Sequence, residues 1–325
     1  MRVAVAGAGG FIGGWLARRL IFEGHEVVCA DIKPLSEWYQ VHENSDNRIL
    51  DLSKYESCLS FVSGAEQVYN LAADMGGMGF IETHKAECML SVLINTHLLM
   101  ASREFSVKRF FFASSACVYN ASKQNTNDVV GLKEEDAYPA MPEDGYGWEK
   151  LFSERMCRHF YEDYGLETRV ARYHNIYGPQ GTWDGGREKA PAALSRKVAS
   201  AKLSGKNEIE IWGDGEQARS FTFIDDCIEG TLRLMNSDVR EPLNIGSDEM
   251  VTINRLVEIL EEIAGIQLLR RYNLDAPKGV RGRNSDNTRV RELLGWSPIT
   301  GLEKGLGETY RWIESQVHSS MKPLT

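Results

Sequence analysis

The chain has 325 residues, of which 42% are hydrophobic, and a formal net charge of −9. That length buries a substantial core, enough for one large or two intimate domains and more than a small binding module needs. The negative balance supplies no basic stripe to track a phosphate backbone, which argues against nucleic acid as a partner, although a few placed Arg and Lys can still hold an anionic ligand.

In chain order, the apolar run Val3 to Ala6 predicts a strand and Phe11 to Phe22 a helix. Further strands are predicted at Val27 to Ala30 and Val68 to Ala72, and a long amphipathic helix around Cys88 to Arg103. Strand Phe110 to Ala113, helix Trp148 to Tyr164 and strand Arg169 to Tyr173 follow. Apolar strands alternating with helices predict an α/β fold, a doubly wound parallel (Rossmann) sheet with helices on both faces.

After about residue 176 the rhythm breaks into Gly- and Pro-rich stretches, Tyr177 to Gly186 and Gly213 to Gly215, with helical segments between them. The chain is expected to return to the sheet at Phe221 to Phe223 and Leu243 to Ile245, then to leave for helices at Ile253 to Ala264 and near Trp312. The predicted division is a first domain over 1–176 with returns near 220–246, and a smaller interleaved lobe over 177–219 and 247–325. The tail Ser319 to Thr325 reads as frayed.

No run of 18 or more apolar residues is present, and Met1-Arg2 leads straight into Val3, unlike a signal peptide. The six cysteines form no Cys-x-x-Cys pair and no cluster at metal spacing, so reduced thiols, no metal and a soluble cytoplasmic protein with no membrane partner are expected.

Gly7-Ala8-Gly9-Gly10-Phe11-Ile12-Gly13 follows the first strand directly and opens a helix. Gly7, Gly10 and Gly13 stand where a tight turn and close phosphate approach require them, and the N–H groups around Phe11 and Ile12 at the helix start can receive a pyrophosphate. A glycine loop alone is weak evidence, since such turns are common. Here the strand, the helix and an acid closing the next strand all agree on a dinucleotide. That acid, Asp31, lies 18 residues after Gly13 and can accept the adenosine ribose hydroxyls while repelling a 2′-phosphate, which favours NAD over NADP. Lys33 is read as a solvated loop charge. Leu71 belongs to the same cofactor set, and Asp51 either contacts the adenine end or is a surface loop carboxylate.

Tyr146 and Lys150 stand at i and i+4 on one helix face, where an ammonium can bring a phenol's proton affinity down. An ordinary surface pair has the same spacing. The apolar strand Phe110 to Ala113, ending in Ser114-Ser115 about 30 residues earlier, puts serines at the carboxyl edge of the sheet, where ligands bind. Together these features resemble the extended short-chain dehydrogenase/reductase family over essentially the whole chain. The resemblance implies Ser115, Tyr146 and Lys150 as a catalytic triad, with Asn95 as a helper.

Cys117, two residues beyond Ser115, is either a small packing residue or an acid/base. A second candidate, Lys189, stands in Gly185 to Pro191. Once a sugar carries a 4-ketone, the hydrogens on both neighbouring carbons become acidic, and inversion needs a base on one face and an acid on the other. A thiol and an amine can supply the two. The strings Ala113 to Cys117, Gly185 to Pro191, Asn70 to Phe80 and Val280 to Asp286 resemble the GDP-mannose 3,5-epimerase family.

That resemblance implies oxidation at position 4, epimerisation at positions 5 and 3, and reduction to GDP-L-galactose, with Cys117 and Lys189 exchanging the protons. It further implies sugar contacts from Gly76, Ser115, Asn175, Glu188 and Ala190, a GDP-facing set of Lys197, Gln217, Arg219 and Arg283, and a homodimer through the helices at Cys88 to Arg103 and Trp148 to Tyr164. Arg219 and Arg283 could equally bridge the lobes. Asn120, and Gly145 and Trp148 around Tyr146, depart from the family pattern, where Pro, Ala and Leu are expected. A nucleotide-sugar 4-epimerase, a 4,6-dehydratase or a non-catalytic NAD-binding regulator would share the cofactor site. The first would not need Cys117 and Lys189, the second sets an acidic pair after the serine, and the third commonly loses the Tyr or Lys.

Overall fold

The computed structural model describes residues 1–128, 130–277 and 279–321. Its frame is built by β1 (Arg2–Ala6), α1 (Phe11–Phe22), β2 (Glu26–Asp31), β3 (Asp46–Ile49), α2 (Tyr55–Val62), β4 (Gln67–Asn70), α3 (Met78–Thr83), α4 (Lys85–Glu104), β5 (Arg109–Ser115), α5 (Asp144–Tyr164) and β6 (Glu167–Tyr173). Apart from the edge strand β3, these strands are apolar because both faces of the sheet are covered. Val3 and Val5 enter one core with Leu16 and Leu20 of α1, while Ala4 and Ala6 enter the other with Phe61, Leu98 and Leu99. The same alternation splits Phe111 from Phe110 and Phe112, as the two-residue period of a strand requires. Each such buried Phe contributes about 1.5–3 kcal/mol.

The remaining elements are β7 (Ile176–Tyr177), α6 (Ala190–Ser204), β8 (Glu208–Trp212), β9 (Ala218–Ser220), β10 (Thr222–Phe223), α7 (Ile224–Asn236), β11 (Leu243–Ile245), β12 (Met250–Thr252), α8 (Ile253–Ala264), β13 (Leu269–Asn273), β14 (Gly282–Arg283), α9 (Thr288–Leu294) and α10 (Leu302–Met321). The central sheet has seven strands in the order β11-β6-β5-β4-β1-β2-β3, every neighbouring pair parallel. Strand order reverses between β1 and β4, which opens a ligand crevice beyond their carboxyl ends.

Two expectations change. Only Leu243–Ile245 rejoins the sheet; Thr222–Phe223 pairs with Ile176–Tyr177 in a separate two-stranded ribbon. Asn175 adopts φ +45°, and this turn carries the chain out of the sheet after β6. The tail is helical through Met321, so Ser319 to Met321 finish α10, and 322–325 lie outside the described residues. Strand β3 was not predicted, because Asp-Asn-Arg-Ile at a sheet edge carries no apolar run. Beyond the sheet, β12, β9 and β14 form a three-stranded sheet and β8 pairs with β13, with α6 packed on α8 and α10. Among the described residues, no helix is long and apolar enough to cross a membrane, and no His, Cys, Asp or Glu group could hold a metal ion. All six cysteines are free and buried.

Candidate active site

The glycine loop lies on the crevice. Gly7 takes φ +79°, and a Cβ there would meet the Leu71–Ala72 peptide at 2.8 Å. A Cβ on Gly13 would come within 2.1 Å of the Gly7 carbonyl oxygen, so only glycine lets α1 start this close to the turn. The N-cap of α1 is Gly10, with no side-chain cap and no acid in the first turn. The N–H groups of Phe11, Ile12 and Gly13 are thus left for an anion, which is the form a pyrophosphate needs.

Asp31 ends β2 and accepts the Lys33 N–H at 3.1 Å. Lys33 is not the solvated charge expected: its ammonium donates to the Gly9 carbonyl at 2.7 Å and stands 5.2 Å over the Tyr39 ring, bracing the loop from outside. Trp38 covers Gly9, where a Cβ would fall 2.6 Å from the indole. Asp51 accepts from the Ser53 N–H and hydroxyl at 3.0 and 2.6 Å, the local turn of a loop carboxylate.

Tyr146 and Lys150 share the buried face of α5, 7% and 3% exposed. Burial pushes the Tyr146 phenol well above its ordinary range, the Cys117 and Glu149 charges add to the rise, and the Ser115 hydroxyl opposes it. The expectation that Lys150 brings the phenol down is not met in this arrangement. Its ammonium pairs with Glu149 Oε2 at 3.4 Å and stands over the Phe112 and Tyr146 rings at 4.7 and 5.6 Å. Glu149, unremarked in the sequence although adjacent to Lys150, is 2% exposed and also accepts from the Ser153 hydroxyl at 2.9 Å. Asn95 lies below, accepting from Asn70 Nδ2 at 3.0 Å and donating to the Ser153 carbonyl at 3.5 Å.

Ser115 ends β5, and its hydroxyl accepts the Cys117 N–H at 3.2 Å, which fixes the 3-10 turn Ala116–Val118. Cys117 joins Tyr146, Phe80, Ile81 and a second unpredicted thiol, Cys88, in one apolar cluster. Helix α5 presses on this turn: the Glu143 N–H donates to the Cys117 carbonyl at 2.9 Å, and a Cβ on Gly147 would lie 2.4 Å from that oxygen. Gly145, one of the departures, is explained the same way, since a Cβ there would meet the Lys85 carbonyl at 2.6 Å. Trp148 is half exposed, on α5 with the exposed Phe152. Asn120 caps the turn Ala121–Gln124 through the Ser122 N–H and donates to the Pro139 carbonyl, a bridge that Pro could not make.

Burial pushes the Cys117 thiol up to about 11; the Glu143 carboxylate adds to this and the Arg283 guanidinium opposes it. Lys189 stands at the start of α6, where its amine makes no hydrogen bond or ion pair among the described residues. Burial pushes the Lys189 ammonium down, with the Cys117 charge opposing the fall and the Arg283 charge adding to it. Both groups are therefore driven towards their uncharged forms.

The loop before Lys189 is stitched to the loop after β4. The Gly77 N–H donates to the Arg187 carbonyl at 2.9 Å, and Arg187 pairs with Asp74 at 2.6 Å and covers the Phe80 ring at 3.8 Å. Gly76 sits in this junction, with no room for a Cβ against Phe80.

Glu188 is held by Arg196 and the Gly186 N–H, each at 2.7 Å. Ala190 opens α6 beside it. Asn175 donates to the Ser220 carbonyl at 2.9 Å, and Lys197 to the Glu210 carbonyl at 2.8 Å. Gln217 donates to the Trp212 carbonyl at 2.8 Å, while its Oε1 is buried without a partner. Arg219 donates to the Ala218 and Val280 carbonyls. Arg283 faces Cys117: it donates to Cys117 Sγ at 3.6 Å, to Gln124 Oε1 at 2.7 Å and to Glu143 at 2.6 Å. Arg283 thus joins β14 to the turns after β5 and to the start of α5.

Near one another stand a glycine loop with open helix N–H groups, the buried Tyr146 and Lys150 beside Ser115, and Cys117 with Lys189 and Arg283 among the charges that act on it. Residues 3–246 match the NAD dependent epimerase/dehydratase family. The chain is 50% identical over 319 residues to GDP-mannose 3,5-epimerase 1 of Oryza sativa subsp. japonica, spanning 98% of this chain and 82% of that one. It is 48% identical over 318 residues to GDP-mannose 3,5-epimerase of Arabidopsis thaliana, at 98% and 83% coverage. Among solved structures, UDP-glucose 4-epimerase of Thermotoga maritima with UDP-glucose superposes with a TM-score of 0.87 at 26% identity, covering 98% of this chain and all (100%) of that one. The protein belongs to the NAD dependent epimerase/dehydratase family.

Proposed function

We propose that this protein is an NAD-dependent GDP-mannose 3,5-epimerase that converts GDP-mannose to GDP-L-galactose. The observation that carries the reading is the Cys117 thiol and the Lys189 amine, both driven towards neutrality by burial, in the electrostatic neighbourhood of one another and, through Cys117, of Tyr146. A 4-epimerase has no use for such a pair.

Bound NAD supplies a hydride acceptor that returns what it takes. Tyr146, acting from its phenolate form, receives the proton of the sugar's 4-hydroxyl as that carbon gives up its hydride, leaving a 4-ketone and a neutral phenol. Ser115 holds the oxygen. The carbonyl acidifies the hydrogens at positions 5 and 3; one member of the Cys117/Lys189 pair removes the proton, the electron pair resides on the enolate oxygen, and the other member donates a proton to the opposite face. Tyr146 then returns its proton as hydride comes back to position 4. Lys150, neutralised by Glu149, orients Tyr146. Lys197, Gln217, Arg219 and Arg283 supply donors for GDP, and Gly76, Asn175, Glu188 and Ala190 border the sugar. The cofactor is assigned to Gly7, Gly10, Phe11, Ile12, Gly13, Asp31, Asp51 and Leu71 in a domain over 1–176 with returns near 220–246, and the substrate to 177–219 and 247–325.

The same reading includes a homodimer. Met89, Leu90, Leu93 and Met100 of α4 and Trp148 and Phe152 of α5 are exposed on two helices that pack side by side, an apolar face suited to a second copy. Six free cysteines suit a reducing compartment, the cytoplasm.

The test is incubation with GDP-mannose in heavy water, with mass and NMR analysis of the sugar. Deuterium at positions 3 and 5 with new isomers is expected in the wild type and is lost in Cys117→Ser and Lys189→Met. Inversion at position 4 without exchange would replace this reading with a 4-epimerase.

A further inference from the structure

Glu143 is used by none of the steps above, yet its position is unusual. It is the N-cap of α5, but its carboxylate makes no cap hydrogen bond to the helix. The side chain, 11% exposed, turns away and pairs with Arg283 at 2.6 Å. One oxygen, Oε2, is buried with no hydrogen-bond partner. A helix start that forgoes its own cap and leaves a carboxylate oxygen unpaired costs stability, which points to a use elsewhere.

That use lies one contact away. Arg283 has five N–H donors, and three are engaged: one on Gln124, one on Cys117 Sγ at 3.6 Å and one on Glu143. The other two make no hydrogen bond among the described residues. Arg283 comes from β14 and Cys117 from the end of the central sheet, and two side chains near the thiol hold the guanidinium there, the neutral Gln124 at 2.7 Å and the charged Glu143 at 2.6 Å. Glu143 is the anionic tether, and its own backbone is pinned to the same turn by the 2.9 Å bond to the Cys117 carbonyl.

We propose that Glu143 is a positioning residue for proton exchange: by holding Arg283 against Cys117, it fixes the charge environment of the thiol. This rests on the reading of Cys117 as a proton-exchanging group. Charged or titratable neighbours of Cys117 come from several elements, namely Tyr146 on α5, Cys88 on α4, Lys189 before α6, Arg219 on β9 and Arg283 on β14, besides Glu143 itself. Among them Glu143 is the anion that opposes thiolate formation most and Arg283 the cation that favours it most. Glu143 thus acts in two senses, restraining the thiolate by its own charge and securing the guanidinium that stabilises it.

The experiment needs no sugar, so it stands apart from the choice of substrate. The NAD-loaded protein is alkylated with iodoacetamide from pH 7 to 11, and modification of Cys117 is followed by peptide mass spectrometry, with NAD binding as the control for folding. In Glu143→Gln, which keeps the side-chain shape and a hydrogen-bond acceptor for Arg283, the alkylation midpoint is expected to fall, and a fall of one unit makes the rate below the midpoint roughly tenfold faster. The curve should level off within the range while the wild-type curve is still rising at pH 10.5. In Arg283→Gln the midpoint moves the other way. Altered access to Cys117 changes the plateau rather than the midpoint, and so does not imitate either result. An unchanged or higher midpoint in Glu143→Gln overturns the charge role, and a midpoint in Glu143→Leu, which also removes the acceptor for Arg283, no higher than in Glu143→Gln overturns the tether. If that variant does not fold, an unchanged midpoint in Arg283→Gln overturns it equally. With GDP-mannose in heavy water, Glu143→Gln should shift the pH optimum of deuterium uptake downwards while the transient reduction of NAD is preserved. No uptake in the wild type at any pH would instead refute the epimerase reading, leaving the alkylation result to judge Glu143.

Discussion

Gly147→Ala tests how closely α5 must press on the turn that carries Cys117. The added Cβ would lie 2.4 Å from the Cys117 carbonyl oxygen and 3.0 Å from Pro142 Cβ, whereas ordinary contact begins at 3.4 Å, so the helix and the turn must part by about 1 Å. Parting strains the 2.9 Å bond from the Glu143 N–H to the same carbonyl. Overpacking costs about 1–3 kcal/mol and the weakened hydrogen bond about 1 kcal/mol, while alanine in a helix returns about 1 kcal/mol over glycine. A net loss of about 1–3 kcal/mol is expected, seen as a lower urea midpoint at unchanged slope. The larger effect falls on catalysis. Tyr146 precedes the substituted residue and Cys117 faces it, so a displacement of this size should lower kcat about 100-fold. KM should change little, because the donors proposed for GDP, Lys197, Gln217, Arg219 and Arg283, lie outside α5 and the Cys117 turn. Deuterium uptake and chemical denaturation on the same preparation measure both. Wild-type kcat together with an unchanged denaturation midpoint would show that this contact does not set the geometry of the site.

Gly13→Ala should abolish NAD binding, read by fluorescence titration, because its Cβ would fall 2.1 Å from the Gly7 carbonyl; retained affinity would refute the placement of the loop. His174, fully buried against Asn244 at 2.9 Å, is pushed by burial from its ordinary 6.5 down to about 3. The unfolded chain takes up this proton near pH 6.5 and the folded one only near 3, so the associated stability is complete above 6.5 and is lost as pH falls between those values, on the order of a few kcal/mol in all. His174→Gln should therefore flatten the dependence of the urea midpoint on pH between 7 and 5; an unaltered slope would rule out His174 as its source. Leu93→Glu with Phe152→Glu should yield a monomer by light scattering if α4 and α5 form the dimer face, and an unchanged mass would place the interface elsewhere.

The cofactor crevice was readable because its signals are local. Gly7 to Gly13 turn, open a helix and follow an apolar strand within a dozen residues, and Asp31 closes the next strand. Tyr146 and Lys150 are one helical turn apart, so their shared face followed from the helix alone. Less was visible where neighbours decide. Glu149 stands beside Lys150 in the chain, but nothing in a sequence says that its carboxylate is buried and takes the ion pair. Lys33 looks like any loop charge until the Gly9 carbonyl is placed beneath it. Thr222–Phe223 is apolar enough for the main sheet and is kept from it by the turn at Asn175.

The amino-acid sequence by itself determined the alternation of strand and helix and the glycine loop with its closing acid, since each is written in periodicity or in spacing of a few residues; the pairing of Cys117 with Lys189 came from resemblance to a family, not from spacing. Tertiary structure alone decided that Arg283 lies on Cys117, 166 positions away, and that Glu143, 140 positions from Arg283, holds it there. The electrostatics of a buried thiol depend on distances of a few ångströms to charges from other elements, and the chain's linear order carries no information about those distances until the lobes have packed.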